Sequence, residues 1–176
     1  MRTLDIESIN QCIDQSIARR NLKKNIRPAT LITAIRPEDW DNLDFLAVPT
    51  RSGRDGVLII DIDDALYATP YELAAIKGDK ITGRLKPVIC DFCKTWQTGS
   101  RAATISFHIS QRSHNSIAFL CCADLRCSLH VRDKTADSKT SRAQLREDIS
   151  TENRILRLQD KLKALTNRLE LPELRL

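Results

Sequence analysis

With 176 residues, 41% of them apolar and 29% charged, the chain has enough material for one ordinary domain and its core, and too little for two large independent ones. Its longest apolar runs, such as Val57 to Ile60, fall far short of a bilayer's thickness, which excludes a membrane-spanning helix. The net charge of +5 is unevenly placed: Arg84 to Arg146 holds eleven Lys/Arg against four Asp/Glu, net +7, so the remainder sums to −2.

Taken from the start, Ile6, Ile9, Ile13 and Ile17 recur at helical spacing and lead into Arg19, Arg20, Lys23 and Lys24, charges suited to a helix C-terminus. The spacing predicts a helix over about 5–24. Acids at Asp5 and Glu7, with no small-residue cleavage site, argue against a secretory signal, and a cytoplasmic location is expected. Pro28 and Pro37 punctuate a connecting segment, which places a boundary near residue 37 between an N-terminal helical segment, 1–36, and the remainder, 37–176.

Beyond that boundary, strands are predicted at 44–48 and over Val57 to Ile62, separated by the turn signal Ser52-Gly53-Arg54-Asp55-Gly56. Residues 64–77 read as a short helix broken by Pro70, and Gly78, Asp79 and Gly83 mark turns. Alternation predicts a β-hairpin from strands at 103–109 and 116–121. Residues 132–148 are polar and basic without periodicity, an exposed loop. Ile155, Leu158, Leu162, Leu165 and Leu169 then alternate steps of three and four, with Ser150-Thr151 as a cap and Pro172 as a stop. This C-terminal amphipathic helix is long enough for a short coiled-coil seam, but it is expected to cover its own domain's core, in a monomer.

Five of the six cysteines lie between residues 90 and 127, inside the basic stretch. In a reducing compartment, cysteines at such spacings point to metal or redox chemistry before disulfides. Cys90-Asp-Phe-Cys93 allows two thiolates of one tight turn to reach a tetrahedral ion, with Lys94 beside them as a donor to the sulfurs. Cys122-Ala-Asp-Leu-Arg-Cys127 offers the other two, one at a strand end and one on the first turn of a helix. Cys121 is a chemically possible alternative. Neighbours on a strand face opposite sides, so only one of Cys121 and Cys122 can face the metal, and Cys122 is the expected ligand. His108, His114 and His130 lack comparable spacing. Cys12, beside Ile9 and Ile13, reads as a buried core residue. A redox Cys-x-x-Cys would need no second pair. One structural Zn2+ is therefore expected, in a closed site that contributes folding energy without chemistry. A knuckle, a hairpin and a helix carrying the last ligand follow the order of a treble clef. The fold class is α+β: a treble-clef zinc finger on a small mixed α/β domain, flanked by an N-terminal helix and a C-terminal amphipathic helix.

The stretches Ile89-Cys90-Asp-Phe-Cys93-Lys-Thr95 and Cys122-Ala-Asp-Leu-Arg-Cys127-Ser-Leu-His-Val-Arg132, with Trp40-Asp-Asn-Leu-Asp-Phe-Leu46 upstream, resemble the C-terminal treble-clef zinc finger of the elongation-factor-G-binding proteins, the FusB-type fusidic-acid-resistance family. The resemblance covers roughly residues 37 to 170. It implies a non-catalytic zinc protein that binds elongation factor G and promotes its release from the ribosome, and it matches Cys90, Cys93, Cys122 and Cys127 to the metal ligands. The N-terminal part is shorter than the helical bundle of the resistance proteins, and Gly99 is the one glycine between the two cysteine pairs.

From the residues alone, Lys94, Trp96, Arg101, Arg112, Arg126, His130 and Arg132 form a basic docking surface around the zinc, suited to an acidic protein face or to phosphates. Direct binding to ribosomal or other RNA is the alternative within that class. Scarce aromatics, 5%, give little stacking platform for single strands, and Trp96 could equally lie beneath the knuckle. The enzymatic alternative is a magnesium-dependent phosphohydrolase using Asp61 and Asp63 at the end of a hydrophobic strand. That chemistry also needs a lysine and a second acidic pair, for which the chain offers no obvious place. Asp61, Asp63 and Asp64 read instead as exposed acids at a strand end.

Overall fold

The computed structural model describes residues 1–16, 25–26, 35, 37–79, 81–109, 115–136 and 148–175. Helix α1 (Ile6–Ser16) precedes a 3-10 turn (Pro37–Asn42) and strands β1 (Phe45–Pro49), β2 (Asp55–Ile62) and β3 (Ala65–Ala75). Two short strands, β4 (Val88–Ile89) and β5 (Trp96–Gln97), frame the first cysteine pair. A 3-10 turn (Gly99–Arg101), strands β6 (Ala102–His108) and β7 (Ser116–Cys122), and helices α2 (Cys127–Val131) and α3 (Thr151–Arg168) follow.

Five strands form one antiparallel sheet in the order β1-β2-β3-β6-β7, and β4 pairs with β5 in a separate ribbon. The apolar run in β2 is continuous because both of its faces are covered. Val57 and Ile59 join Leu46, Val48 and Trp40 beneath α1, which contributes Ile9, Cys12 and Ile13. Leu58, Ile60 and Ile62 join Phe45, Ile105 and Phe107 beneath α3, which contributes Leu158, Leu162 and Leu165. Helix α1 thus shares a core with the sheet that begins beyond residue 37. The expected extension of that helix through 17–24 lies outside the described residues.

The helix predicted over 64–77 is strand β3. Asp63 and Asp64 both adopt positive φ, 52° and 61°, the requirement of a two-residue type I′ hairpin turn, and Ile62 faces Ala65 across it. Pro70 is tolerated because Leu73 N–H donates to Arg54 O, and the period of two turns the Pro70 nitrogen away from β2. On that far side, pairing with β6 starts only at Glu72, so no ladder bond is lost. The strands predicted at 44–48 and 57–62 are β1 and β2 and the predicted hairpin is β6 and β7, whereas the short strands β4 and β5 were not anticipated. Helix α3 does too: Ser150 Oγ accepts the Asn153 N–H at 3.3 Å, and the apolar stripe faces the core. Residues 137–147 of the predicted basic loop lie outside the described residues.

Candidate metal centre

Three separate chain segments bring cysteines to one point. The first is the knuckle between β4 and β5, where Lys94 N–H donates to Cys90 O and Cys90 N–H to Thr95 O, both at 3.0 Å. Lys94 takes φ 58°, which closes the turn without a glycine. Asp91 ties this knuckle to the outer edge of β7: its N–H donates to Leu120 O, and its carboxylate accepts the Leu120 N–H, both at 2.8 Å. The second segment is the end of β7, which carries Cys122. There Leu125, at φ 52°, donates its N–H back to Cys122 O at 3.1 Å and turns the chain into α2, whose first residue is Cys127.

All four sulfurs, of Cys90, Cys93, Cys122 and Cys127, are buried and lie within 4.8 Å of one another. The Cys90–Cys127 and Cys93–Cys122 separations are 3.7 and 3.4 Å. A disulfide would require about 2.05 Å, whereas a tetrahedral Zn–S distance of about 2.3 Å implies sulfurs about 3.8 Å apart. The spacing and the soft, all-thiol donor set fit zinc. Cys121, on the opposite face of β7, is buried in the apolar core beside its cross-strand partner Ala103, and burial pushes its thiol well above the ordinary range. Strand parity thus separates the two neighbours, as expected.

Around the sulfurs stands a second layer that sequence reasoning missed. Gln97 Nε2 donates to Cys122 Sγ at 3.2 Å. His130 Nδ1 lies 3.3 Å from Cys122 Sγ and 3.9 Å from Cys93 Sγ, and Asp124 Oδ2 lies 3.3 Å from its Nε2. Burial pulls the imidazole toward its neutral form, but Asp124 and Cys93 outweigh it and raise the group to about 9. His130 follows Cys127 by three residues on α2, so the shared helix face was a legible signal. Nothing in the pattern around Gln97 announced its role.

The surface expected to dock a partner is only partly a surface. Lys94, Trp96, Arg101 and Arg126 reach solvent. Lys94 approaches Asp91 Oδ1 at 4.0 Å, and the donation expected from it to the sulfurs comes from Gln97 instead, with His130 Nδ1 also facing Cys122 Sγ. Trp96 is 36% exposed and therefore not beneath the knuckle. His130, 1% exposed, is an interior residue, because its ring is held among sulfurs and Asp124. Arg132 is withdrawn as well: its guanidinium grips buried Asp44 at 2.6 and 3.1 Å, with side chains 13% and 4% exposed. Arg112 lies outside the described residues. At the β2–β3 turn, Asp61 accepts the Arg2 N–H at 2.6 Å and its guanidinium at 3.1 Å, and Asp63 pairs with Lys163 at 2.5 Å. The Asp61 side chain is only 10% exposed, not the open strand-end acid expected. Both carboxylates are committed to cations.

Among known families, the model of the FBP C-terminal treble-clef zinc-finger matches residues 15–169. No curated protein and no solved structure matches the chain.

Proposed function

The chain belongs to the FBP C-terminal treble-clef zinc-finger family and carries one structural zinc, and from that premise we propose that it binds elongation factor G and modulates the factor's release from the ribosome, without catalysing a reaction itself. Cys90, Cys93, Cys122 and Cys127 hold the ion, and four thiolates leave it no open coordination position for substrate. The family match over residues 15–169 is the observation that carries this reading. It is supported by half-buried Lys94 and exposed Trp96, Arg101 and Arg126, which reach solvent from the knuckle, the turn before β6 and the start of α2, cations and an aromatic suited to an acidic protein face. Release of drug-stalled complexes, a fusidic-acid-resistance type of activity, belongs to the same reading.

Pull-down with purified elongation factor G at physiological salt tests it. Retention is expected, and charge reversal at Lys94, Arg101 and Arg126 together should abolish it with zinc content unchanged. No retention by the zinc-loaded protein removes the factor as partner. The concentration of charge between Arg84 and Arg146, net +7, favours a second reading, direct RNA binding. Salt-dependent binding to ribosomal RNA in the absence of the factor would support that one.

A further inference from the structure

Two side-chain donors converge on a single sulfur of the zinc site. Gln97 Nε2, from β5, and His130 Nδ1, from α2, approach Cys122 Sγ at 3.2 and 3.3 Å, and both side chains are 1% exposed. His130 reaches toward Cys93 only at 3.9 Å, and among the described residues no side-chain N–H comes within hydrogen-bond distance of Cys90 or Cys127. A zinc ion with four thiolates carries a formal charge of −2, and placing that charge in an apolar interior requires donors that face it. Here those donors are gathered at one corner. Asp124, two residues beyond Cys122, turns its carboxylate to the far nitrogen of the imidazole at 3.3 Å, and its other oxygen accepts the Arg126 N–H at 3.1 Å. Carboxylate and imidazole thus lie at ion-pair distance without an aligned hydrogen bond, and the imidazole's other nitrogen faces the thiolate.

We propose that Gln97 and His130, the latter paired in charge with Asp124, are positioning residues that direct two hydrogen bonds into the Cys122 thiolate, making that sulfur the charge-neutralised anchor of the centre. The proposal rests on the ligand reading above. Three things follow from the geometry. Cys122 gives less electron density to the metal than Cys90 or Cys127. The two donors fix the angle at which the end of β7 meets the ion. The loss of either donor weakens zinc binding without removing a ligand.

The test begins with the unaltered protein loaded with 113Cd. One cadmium resonance is expected, coupled to the β-protons of four cysteines and, across N–H···S bonds, to the His130 Nδ1 proton and a Gln97 side-chain amide proton. A resonance coupled to the four cysteines but to neither side chain overturns the proposal and leaves the ligand set standing. A resonance not coupled to Cys122 overturns both. Among variants, Gln97→Met and His130→Phe keep size and remove the donor, and each is expected to weaken zinc binding about 10–100-fold in competition with a chelator. His130→Asn, which keeps an N–H near the Nδ1 position, should recover part of that loss. In the cobalt-substituted protein the thiolate-to-metal charge-transfer bands should move to longer wavelength in Gln97→Met, since a sulfur freed of a donor is more electron-rich. Wild-type zinc affinity and unshifted bands in a folded Gln97→Met protein would overturn the role of Gln97.

Discussion

Cys121 and Cys122 are adjacent in β7, and their side chains leave the strand in opposite directions, one into the core under α3 and one toward the other three sulfurs. The pair shows how far one residue's role depends on parity. Cys127→Ser removes a ligand from a closed site, and since structural zinc is worth roughly 10 kcal/mol or more to such domains, the variant should lose both its zinc and its cooperative fold, as read by metal analysis and circular dichroism. The two thiols outside the cluster, Cys12 and Cys121, are buried. Thiol titration of the native zinc-loaded protein at pH 8 should therefore read close to zero, and six after unfolding in chelator. Cys12 also sets a pH dependence. Burial raises its thiol from 9.0 to about 11, so the fold favours the protonated form. Its contribution is fully present below pH 9 and is lost as the pH climbs from 9 to 11, by roughly 2–3 kcal/mol at most. Burial also pushes the Tyr71 hydroxyl well above its ordinary value of 10.0, so its contribution begins to be lost only above about pH 10 and adds to the upper end of this slope. Denaturant unfolding at pH 8 and 10.5 should thus show a slope that Cys12→Ala flattens and does not abolish.

Helices α2 and α3 are joined to the sheet through one carboxylate. Asp44, just before β1, takes two bonds from Arg132 and one from Gln159 Nε2 at 3.0 Å, and its N–H donates to Ser128 Oγ at 3.0 Å. Arg132→Met would strand that carboxylate, and breaking a buried pair from one side costs about 3–5 kcal/mol. Exposed Arg126→Glu should change stability by no more than about 0.5 kcal/mol. Chemical denaturation of the two variants separates structural from surface arginines, which sequence position alone does not. Along α3, Leu162 is fully buried while Leu156 is 56% exposed. Leu162→Ala should cost about 2–5 kcal/mol and Leu156→Ala almost nothing, by the same measurement. The stripe that buries Leu158, Leu162 and Leu165 was legible from steps of three and four, as was the hairpin from its alternation. Residues 64–77 were not legible, because Pro70 and short-range propensity suggested a broken helix where pairing with β2 decides a strand.

At the scale of the whole molecule, zinc draws together a ribbon, a sheet edge and a helix, and β2 sits between both cores. Loss of the metal on one face should therefore not spare the other. The two tryptophans report on this: Trp40 lies in the core under α1, and Trp96 lies on the exposed side of the ribbon. With chelator present, the emission of Trp96→Phe, which reads Trp40, and that of Trp40→Phe, which reads Trp96, should change in one coincident thermal transition below that of the zinc-loaded protein. Two separated transitions would mean that the α1 face holds its own fold.

By itself the sequence determined the kind of fold, the metal, the four cysteines and the apolar stripe of α3, because these depend on spacing along one segment and on the short list of elements that has each period. Family membership was legible in the same stretches. What only the tertiary structure decided was which polar residues face inward. His130 and Arg132 look like surface cations in a basic run, yet one is enclosed by sulfurs and the other is spent on Asp44, 88 residues away. The partner of a buried charge is chosen by how distant segments pack, and no local pattern encodes that choice.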